Sequence, residues 1–253
     1  MLPRSFFILL AASATCAATA AQAQVTFGIG PKVGYNLVSV RYRDAAAPDQ
    51  RAGYRSGLET GLMASIGFGH FAVQPAVLYS QRGFTLLQSG TYAPYSPDAY
   101  RHDVGVRFDY LLLPLNLAYT QHANGQGAQV FAGVYLGVLA GGRYKATTTY
   151  YGFNNGQATS GDYIERGNVR VGDQATGSSS NLYGRRFDSG VQVGVGYRHH
   201  RLLAQASYSL GLRNVDTFNG NALFIRNFES YDGAKYRNQA FQVSVACLVG
   251  TKS

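Results

Sequence analysis

The 253-residue sequence contains no tryptophan, and charged residues make up only 14% of it. A typical soluble domain carries about 25% charged residues, so we do not expect an ordinary water-facing surface. Hydrophobic residues make up 46%, and the chain has 31 glycines and 19 tyrosines. The composition favours a protein whose outer surface is partly apolar.

The N-terminal segment has the three parts of an export signal. Residues 1–4 give a short basic start, residues 6–12 form an apolar run too short to span a bilayer, and Ala21-Gln22-Ala23 has the small-x-small pattern of a signal-peptidase site. We expect a signal peptide over residues 1–23 and a single exported domain over residues 24–253.

Cysteine is almost absent from that domain. Cys16 falls in the predicted signal, and the residue three positions before it is not the leucine expected of a lipidated cysteine. Cys247 is then alone, which excludes a disulfide within the chain and a multi-thiolate metal site. We expect neither a metal nor another cofactor.

The net charge points to a partner. It is +9 for the whole chain, and removing Arg4 with the signal leaves 22 − 1 − 13 = +8. An exported chain seldom meets nucleic acid, whereas phosphorylated lipid head groups are abundant at a bacterial surface. Solvated loop charges would give the same balance.

Long apolar runs are missing after residue 23, so no transmembrane helix is expected. Eight segments of alternating polarity occur instead, each long enough for a tilted strand to cross a bilayer. The segments are 25–41, 55–68, 71–84, 107–120, 129–144, 187–198, 201–214 and 236–249.

The connections between these segments alternate in length. Long loops are predicted at 42–54, 85–106, 145–186 and 215–235, and short turns at 69–70, 121–128 and 199–200. Outer-membrane barrels have short periplasmic turns and long external loops. The predicted fold class is therefore all-β, an eight-stranded antiparallel up-and-down transmembrane β-barrel.

The two faces of each segment differ. In the stretch VQVGVGY (191–197), the valines and Tyr197 lie on one face, and Gln192, Gly194 and Gly196 lie on the other. Small and polar groups suit a crowded barrel interior, and aliphatic groups suit lipid. A soluble eight-stranded ligand-binding barrel would also alternate, with its valines inside.

Aromatic and proline residues give further expectations. Tyrosines near segment ends are expected at the lipid head-group level, with about a third packing inside the barrel instead; these are Tyr79, Tyr110, Tyr119, Tyr144, Tyr197 and Tyr208. Pro75 and Pro114 cannot donate a ladder hydrogen bond, so each is expected at a bulge or a gap in pairing.

The sequence resembles a known family. The blocks QPAVLYSQRG (74–83) and YSLGLRNV (208–215) are the most specific, and GPKVGYNLVSV (30–40), YLLLPLNLAY (110–119) and YRNQAFQVSVACLV (236–249) extend the resemblance over the mature chain. They resemble the PorT-like, porin-family outer-membrane β-barrel proteins of Bacteroidetes-type bacteria. This resemblance implies an eight-stranded outer-membrane barrel without an assigned activity. The present sequence departs from the family in one respect, because it ends without the terminal aromatic residue common in such barrels.

Charged residues inside the predicted barrel need partners, because an isolated buried charge is costly. Glu59 and Asp188 lie on lumen-facing positions, and Lys32, Arg82 and Arg107 can reach the same interior. We expect these five residues to form a lumenal charge network in place of a water channel. The alternative is that the arginines lie at the rims.

The predicted loop 145–186 is rich in Gly, Ser, Thr, Asn and Tyr. This composition suits adaptable recognition of a surface glycan or protein, and equally a loop without a ligand. Arg166, Arg170, Arg185 and Arg186 within it are candidates for contacts with outer-membrane lipid, namely the phosphates of lipopolysaccharide.

Catalytic motifs are weak. His102-Asp103, with Ser96 nearby, suggests a lipid-modifying hydrolase, but adjacent residues rarely face each other and no nucleophile-elbow pattern surrounds a serine. His199-His200 is expected to be a solvated pair whose side chains point apart. We therefore predict a non-enzymatic integral outer-membrane barrel with a structural or surface-binding role. A narrow channel or transport and secretion accessory, and an outer-membrane lipid-modifying enzyme, are the alternatives.

Overall fold

The structure is a computed structural model that describes residues 25–43, 51–91, 98–154, 157–172, 181–213 and 235–250. The predicted signal peptide and Ser96 lie outside these residues. Within this part of the chain, no helix is long and apolar enough to cross a membrane.

The described chain forms ten β-strands. Their bounds are β1 Val25–Arg43, β2 Arg51–Phe68, β3 Phe71–Thr91, β4 Ala99–Thr120, β5 Gly127–Asn154, β6 Gln157–Val171, β7 Asn181–Gly184, β8 Phe187–His199, β9 Leu202–Gly211 and β10 Lys235–Cys247.

Eight of these strands form a closed antiparallel ring. The order around it is β1, β2, β3, β4, β5, β8, β9, β10, and β10 pairs with β1 to close it. The predicted eight-stranded antiparallel barrel is therefore confirmed. The short turns, the start of β1 and the end of β10 lie at one end of the ring, which we call the turn end. The opposite end is the loop end.

The strands extend further than predicted at the loop end, so two predicted loops are wrong. Strands β3 and β4 stay paired as far as Thr91 and Ala99, within the predicted loop 85–106. Strand β5 continues to Asn154 and pairs with β6, which occupies much of the predicted loop 145–186. Beyond the lipid, a strand no longer needs an apolar face, so these polar extensions read as loops in the sequence.

The small strand β7 adds to the edge of β6. Strand β5 pairs with β8 only up to Val138, and above that point β6 takes the place of β8 beside β5. Strand β7 runs parallel to the end of β6 over Asn168–Val171. A hairpin of β5 and β6 therefore rises above the ring.

The ring carries a continuous apolar band on its outside. Exposed aliphatic and aromatic side chains occur on every ring strand, and representatives are Ile29, Leu62, Val77, Leu115, Val134, Val193, Leu202 and Val243. Buried polar side chains occupy the alternate, inward positions. A soluble protein would bury such a band, so the valines of VQVGVGY face lipid.

Inward glycines make room for large side chains on the neighbouring strand. Gly190 lies opposite Tyr135, and Gly194 lies opposite Phe131. A Cβ atom at Gly190 would stand 2.5 Å from Cε1 of Tyr135, and one at Gly194 would collide with the Phe131 ring. The glycines of β8 therefore pair with the aromatic side chains of β5.

Both prolines lie at interruptions of a ladder. The pairing of β2 with β3 passes from Met63–Ala76 to Ile66–Val73 and skips Pro75. The pairing of β3 with β4 passes from Pro75–Leu115 to Leu78–Leu112 and skips Pro114. The register is the same on either side, so each proline is accommodated at a gap in pairing, as predicted.

The tyrosines divide as expected between the outside and the inside. Tyr79, Tyr119 and Tyr197 are exposed on the outer wall, whereas Tyr110 and Tyr144 are buried. The position of the last two was not predicted individually, and both face inward because their neighbours on β4 and β5 face outward.

Candidate functional site: a filled lumen and a basic outer wall

The lumen near the turn end is crossed by glutamines. Gln74 of β3 donates from Nε2 to Oε1 of Gln129 on β5 at 3.0 Å, and Gln205 of β9 donates to Oε1 of Gln74 at 3.1 Å. Three strands on different sides of the ring are linked in this way. Because all three side chains are buried, this layer fills the part of the lumen nearest to the turn end.

A second polar layer lies in the middle of the barrel. Nζ of Lys32 is 3.7 Å from Oε1 of Glu59, and Nε2 of Gln242 donates to Oε2 of Glu59 at 3.4 Å. Beside them, Gln192 donates to Oδ1 of Asn116 at 2.6 Å. The first group links β1, β2 and β10, the second links β4 and β8, and both line the same small cavity.

The third layer is centred on Arg82 and Asp188. Nη1 of Arg82 is 3.8 Å from Oδ2 of Asp188, and each side chain is 1% exposed. The same carboxylate oxygen accepts from Asn238 at 2.9 Å and from the Tyr135 hydroxyl at 3.3 Å. The Arg82 guanidinium also lies 4.6 Å from the centre of the Tyr135 ring, a cation–π contact that further offsets burial of its charge.

Apolar side chains close the lumen above this layer. Phe84 and Phe108 have ring centroids 6.1 Å apart, and Phe108 is in turn 6.1 Å from Tyr110. The rest of this cluster at the loop end includes Leu86, Val104, Val106, Leu139, Val169 and Leu182. This apolar plug was not predicted, because part of it belongs to segments expected to be loops.

Little space is left between the polar layers. The cavity lined by Lys32, Glu59, Arg82, Tyr135 and other side chains has a volume of about 10 Å³. A single water needs roughly 10–15 Å³ on this measure. The space enclosed by these side chains is therefore too small for more than about one water molecule.

Four of the five residues predicted for the lumenal network lie in the lumen, in two separate pairs: Lys32 with Glu59, and Arg82 with Asp188. Arg107 does not join them. It lies on the outer wall, where its Nε is 3.4 Å from Oδ1 of Asp109. The physical reason is strand alternation, since Phe108 and Tyr110 point inward and their neighbours on β4 must point outward.

Sequence reasoning missed the partners of these pairs. Tyr135, Asn238 and Gln242 complete the hydrogen bonding of the two carboxylates. Each lies on the inward register of its strand, so the alternation alone would have placed it in the lumen. Which carboxylate each side chain meets depends on the register between strands, which the sequence does not reveal.

The outer wall of the loop end is strongly basic on one side. Arg107 of β4 lies opposite Arg143 of β5, and Lys145 of β5 lies opposite Arg166 of β6. Arg170, Arg185 and Arg186 are exposed nearby on β6 and on the link between β7 and β8. We call this set the basic wall: Arg107, Arg143, Lys145, Arg166, Arg170, Arg185 and Arg186.

Arg55 of β2 extends the basic wall around the ring. Its Nη1 lies 2.7 Å from the position that a Cβ would take at Gly105, on the outer face of β4. Burial of this guanidinium, and then the positive charge of Arg107, lower the pKa of Arg55. The two arginines thus lie close enough to repel each other.

The basic wall begins where the apolar band ends. Arg186 directly precedes the exposed Phe187, and Arg107 is four residues along β4 from the exposed Leu111. Four residues correspond to about 13 Å along a strand. This places the cations at the height of lipid head groups and the sugars and phosphates just beyond them.

The hydrolase alternative depended on His102 and Asp103, which the structure does not bring together. His102 is buried and its Nδ1 is 2.7 Å from Oγ1 of Thr148, whereas Asp103 is exposed on the opposite face of β4. The His199 and His200 rings do not point apart as predicted, since their centroids are 4.2 Å apart. Within the described residues, no group of three His, Cys, Asp or Glu side chains is placed to hold a metal ion.

These features define a class of protein: a β-barrel with a lipid-facing exterior, a filled lumen and a charged extension at one end. The family model for the outer membrane protein beta-barrel domain matches residues 21–217. The chain belongs to this family, and its location is the outer membrane. The specific PorT-like relationship stays a prediction.

Comparison with solved structures gives similarities at low sequence identity. The chain is similar to Ail, the attachment invasion locus protein of Yersinia pestis, at 10% identity and a TM-score of 0.39, with 88% of this chain and 98% of that chain covered. It is also similar to Neisserial surface protein A, at 12% identity and a TM-score of 0.34, with coverage of 87% and 98%. Another structure, of Ail in complex with the heparin analogue sucrose octasulfate, has a TM-score of 0.38 at 10% identity and coverage of 89% and 99%. No curated protein matches the sequence.

Proposed function

We propose that this protein is a non-enzymatic, non-conducting outer-membrane barrel whose role lies at its outer surface. The basic wall binds phosphate groups of the outer-leaflet lipid, lipopolysaccharide, and so holds the raised β5–β6 hairpin at the cell surface. The observation that carries this proposal is the position of the basic wall directly beyond the apolar band.

The chemistry of the basic wall suits an anionic ligand. Five of its seven cationic side chains lie on β4, β5 and β6 and two on the link between β7 and β8. Asp109, the carboxylate nearest to the apolar band, is already paired with Arg107. Guanidinium groups bind phosphate oxygens through paired, charge-assisted hydrogen bonds. A phosphate between Arg55 and Arg107 would also relieve the repulsion between these two cations.

The filled lumen supports a surface role over transport. The interior is occupied by three polar layers, two of which contain a buried ion pair, and by an apolar plug. Eight-stranded barrels have interiors that side chains can fill completely. The opposite faces taken by His102 and Asp103 likewise argue against the hydrolase alternative.

The proposal is tested by binding of the detergent-solubilised full-length barrel to lipopolysaccharide with two matched double variants. Arg143→Gln with Arg170→Gln removes two charges from the basic wall. Arg41→Gln with Arg237→Gln removes the same charge from an exposed pair on the opposite side of the ring. We expect the first to weaken binding by about tenfold or more, since charge-assisted hydrogen bonds contribute roughly 1.5–3 kcal/mol each.

The two variants separate site binding from net charge. A large loss in the first and a small loss in the second supports the basic wall. Equal losses would mean that only the total charge matters, and no loss in either would overturn the proposal. Heat-modifiable gel migration of each variant verifies that the barrel is closed.

A further inference from the structure

The turn end of the barrel contains a second basic feature that the proposed function does not use. A cavity of about 970 Å³ opens there between the turns that follow β4 and β8 and the ends of β1 and β10. Its polar lining includes His122, Asn124, Gln126, Arg198, His200 and Arg201. We call this cavity the vestibule. Among its described lining residues there are two arginines and no carboxylate.

Arg198 occupies a defined seat in the vestibule. Its Nη2 is 3.5 Å from the position that a Cβ would take at Gly28, and its Nη1 is 3.4 Å from the corresponding position at Gly125. Its Nε donates to the backbone oxygen of His200 at 3.3 Å. The guanidinium is therefore fixed at Nε, while the two terminal nitrogens lie between glycines that leave the space beside them open.

The turn that carries His200 has an unfavourable backbone conformation. His200 has a φ of 54°, and among the described non-glycine residues it alone has a positive φ. Glycine or asparagine would adopt this conformation at lower cost in a two-residue hairpin. Such outliers cluster at binding sites, where the surrounding structure holds them in place.

The turn that follows β4 holds His200 in this conformation. The side chain of Gln126 accepts from the His200 backbone N at 2.8 Å and donates to the His200 backbone oxygen at 3.2 Å. This oxygen is the one that orients Arg198. The strained turn, the amide that locks it and the seated guanidinium thus form one connected unit facing the vestibule.

We propose that the vestibule is a phosphate-binding site, with Arg198 as the main contact and Arg201 beside it. A planar guanidinium with two open nitrogens binds two oxygens of a phosphate group. The vestibule faces away from the basic wall, so its ligand comes from the other side of the membrane. Two sources share this chemistry: a soluble phosphate compound of the periplasm, and the head group of a phospholipid in the inner leaflet.

The test uses the isotope-labelled full-length barrel in an uncharged maltoside detergent, with inorganic phosphate as the probe. We expect phosphate to shift the backbone amide resonances of Gly125 and His200. Arg198→Gln should weaken this response by about tenfold or more. Arg213→Gln, which removes an exposed arginine near the loop end, should leave it unchanged.

A second arm distinguishes the two sources. If phosphatidylglycerol added to the micelles shifts the same amides at lower concentration than phosphate, the ligand is a lipid head group. If phosphate is the stronger probe, the ligand is soluble. Absence of a shift with both probes, or an unchanged response in Arg198→Gln, overturns the proposal.

Folding of the variant has to be verified separately. Heat-modifiable migration shows whether Arg198→Gln still forms a closed barrel. If it does not, Arg201→Gln replaces it: a weakened response supports the site, and an unchanged one overturns it. Because the amides report the vestibule alone, phosphate binding at the basic wall does not affect the outcome.

Discussion

Arg82 and Asp188 form an ion pair across the barrel interior, with 3.8 Å between Nη1 and Oδ2 and 1% exposure of each side chain. Strands β3 and β8, which carry them, are not neighbours in the ring. The pair therefore links two parts of the barrel wall that share no ladder hydrogen bonds. Tyr135 and Asn238 bind the same carboxylate, which makes this layer a cross-brace of the fold.

We predict that Arg82→Met strongly destabilises the barrel. It leaves Asp188 buried without a cation, which costs about 3–5 kcal/mol in comparable buried pairs. Urea unfolding in lipid vesicles, followed by gel migration, measures the free energy of unfolding. Arg107→Met is the control, because its pair with Asp109 is partly exposed on the outer wall and should contribute at most about 1 kcal/mol. Equal losses of unfolding free energy in the two variants would contradict a stabilising role of the Arg82–Asp188 pair.

The glycines of β8 lead to a second prediction. Gly194→Leu should destabilise the barrel by about 1–3 kcal/mol, because the added side chain collides with Phe131. Phe131→Ala in the same chain should restore only part of the loss, because a Cβ at Gly194 would also stand 2.5 Å from the backbone oxygen of Ala206. Gly161→Leu on β6 is the control, since a Cβ there has no atom within 4 Å. Failure of the second substitution to restore stability would argue against this pairing.

The lipid-facing assignment gives a third prediction. Val193→Arg should cost about 2–4 kcal/mol, because Val193 lies near the middle of the apolar band and a charge at the bilayer midplane is unfavourable. Ile164→Arg on β6, an exposed residue beyond the band, should change the free energy of unfolding by less than about 0.5 kcal/mol. If both substitutions were tolerated equally, the outer face would not lie in lipid.

A fourth prediction concerns pH. Burial lowers the pKa of His102 below its usual 6.5, so the folded state binds a proton less readily than the unfolded state. The contribution of His102 to the free energy of unfolding is then constant above pH 6.5 and falls as the pH drops towards the pKa of His102 in the folded state. Unfolding free energies between pH 7.5 and 5 should show this fall in the wild type and less of it in His102→Gln. A free energy of unfolding that rises on acidification would contradict a lowered pKa of His102 in the folded state.

The ring was predictable because membrane strands obey a strict rule. Lipid requires an apolar side chain at every second position, and outer-membrane barrels have short turns at one end and long loops at the other. Lys32 with Glu59 and Arg82 with Asp188 could be placed in the lumen for the same reason. The glycines of VQVGVGY could be placed inside because they alternate with valines, which suit lipid.

The loop end was not predictable in the same way. Strand β6, with the sequence QATSGDYIERGNVRV, has mixed polarity on both faces because neither face meets lipid. The basic wall depends on registers, such as Arg107 opposite Arg143 and Lys145 opposite Arg166, that bring distant residues together. The vestibule depends on the contact between two turns, which no local pattern indicates.

The proposed surface role depends on a filled lumen. Single-channel recording of the wild-type barrel in planar bilayers tests whether the lumen is filled, with heat-modifiable migration of the same preparation as evidence that the barrel is folded and closed. A filled lumen predicts no stepwise conductance above background. Reproducible conductance steps from that preparation would mean that the polar layers around Glu59 and Asp188 open to water, and that the lumen is not filled.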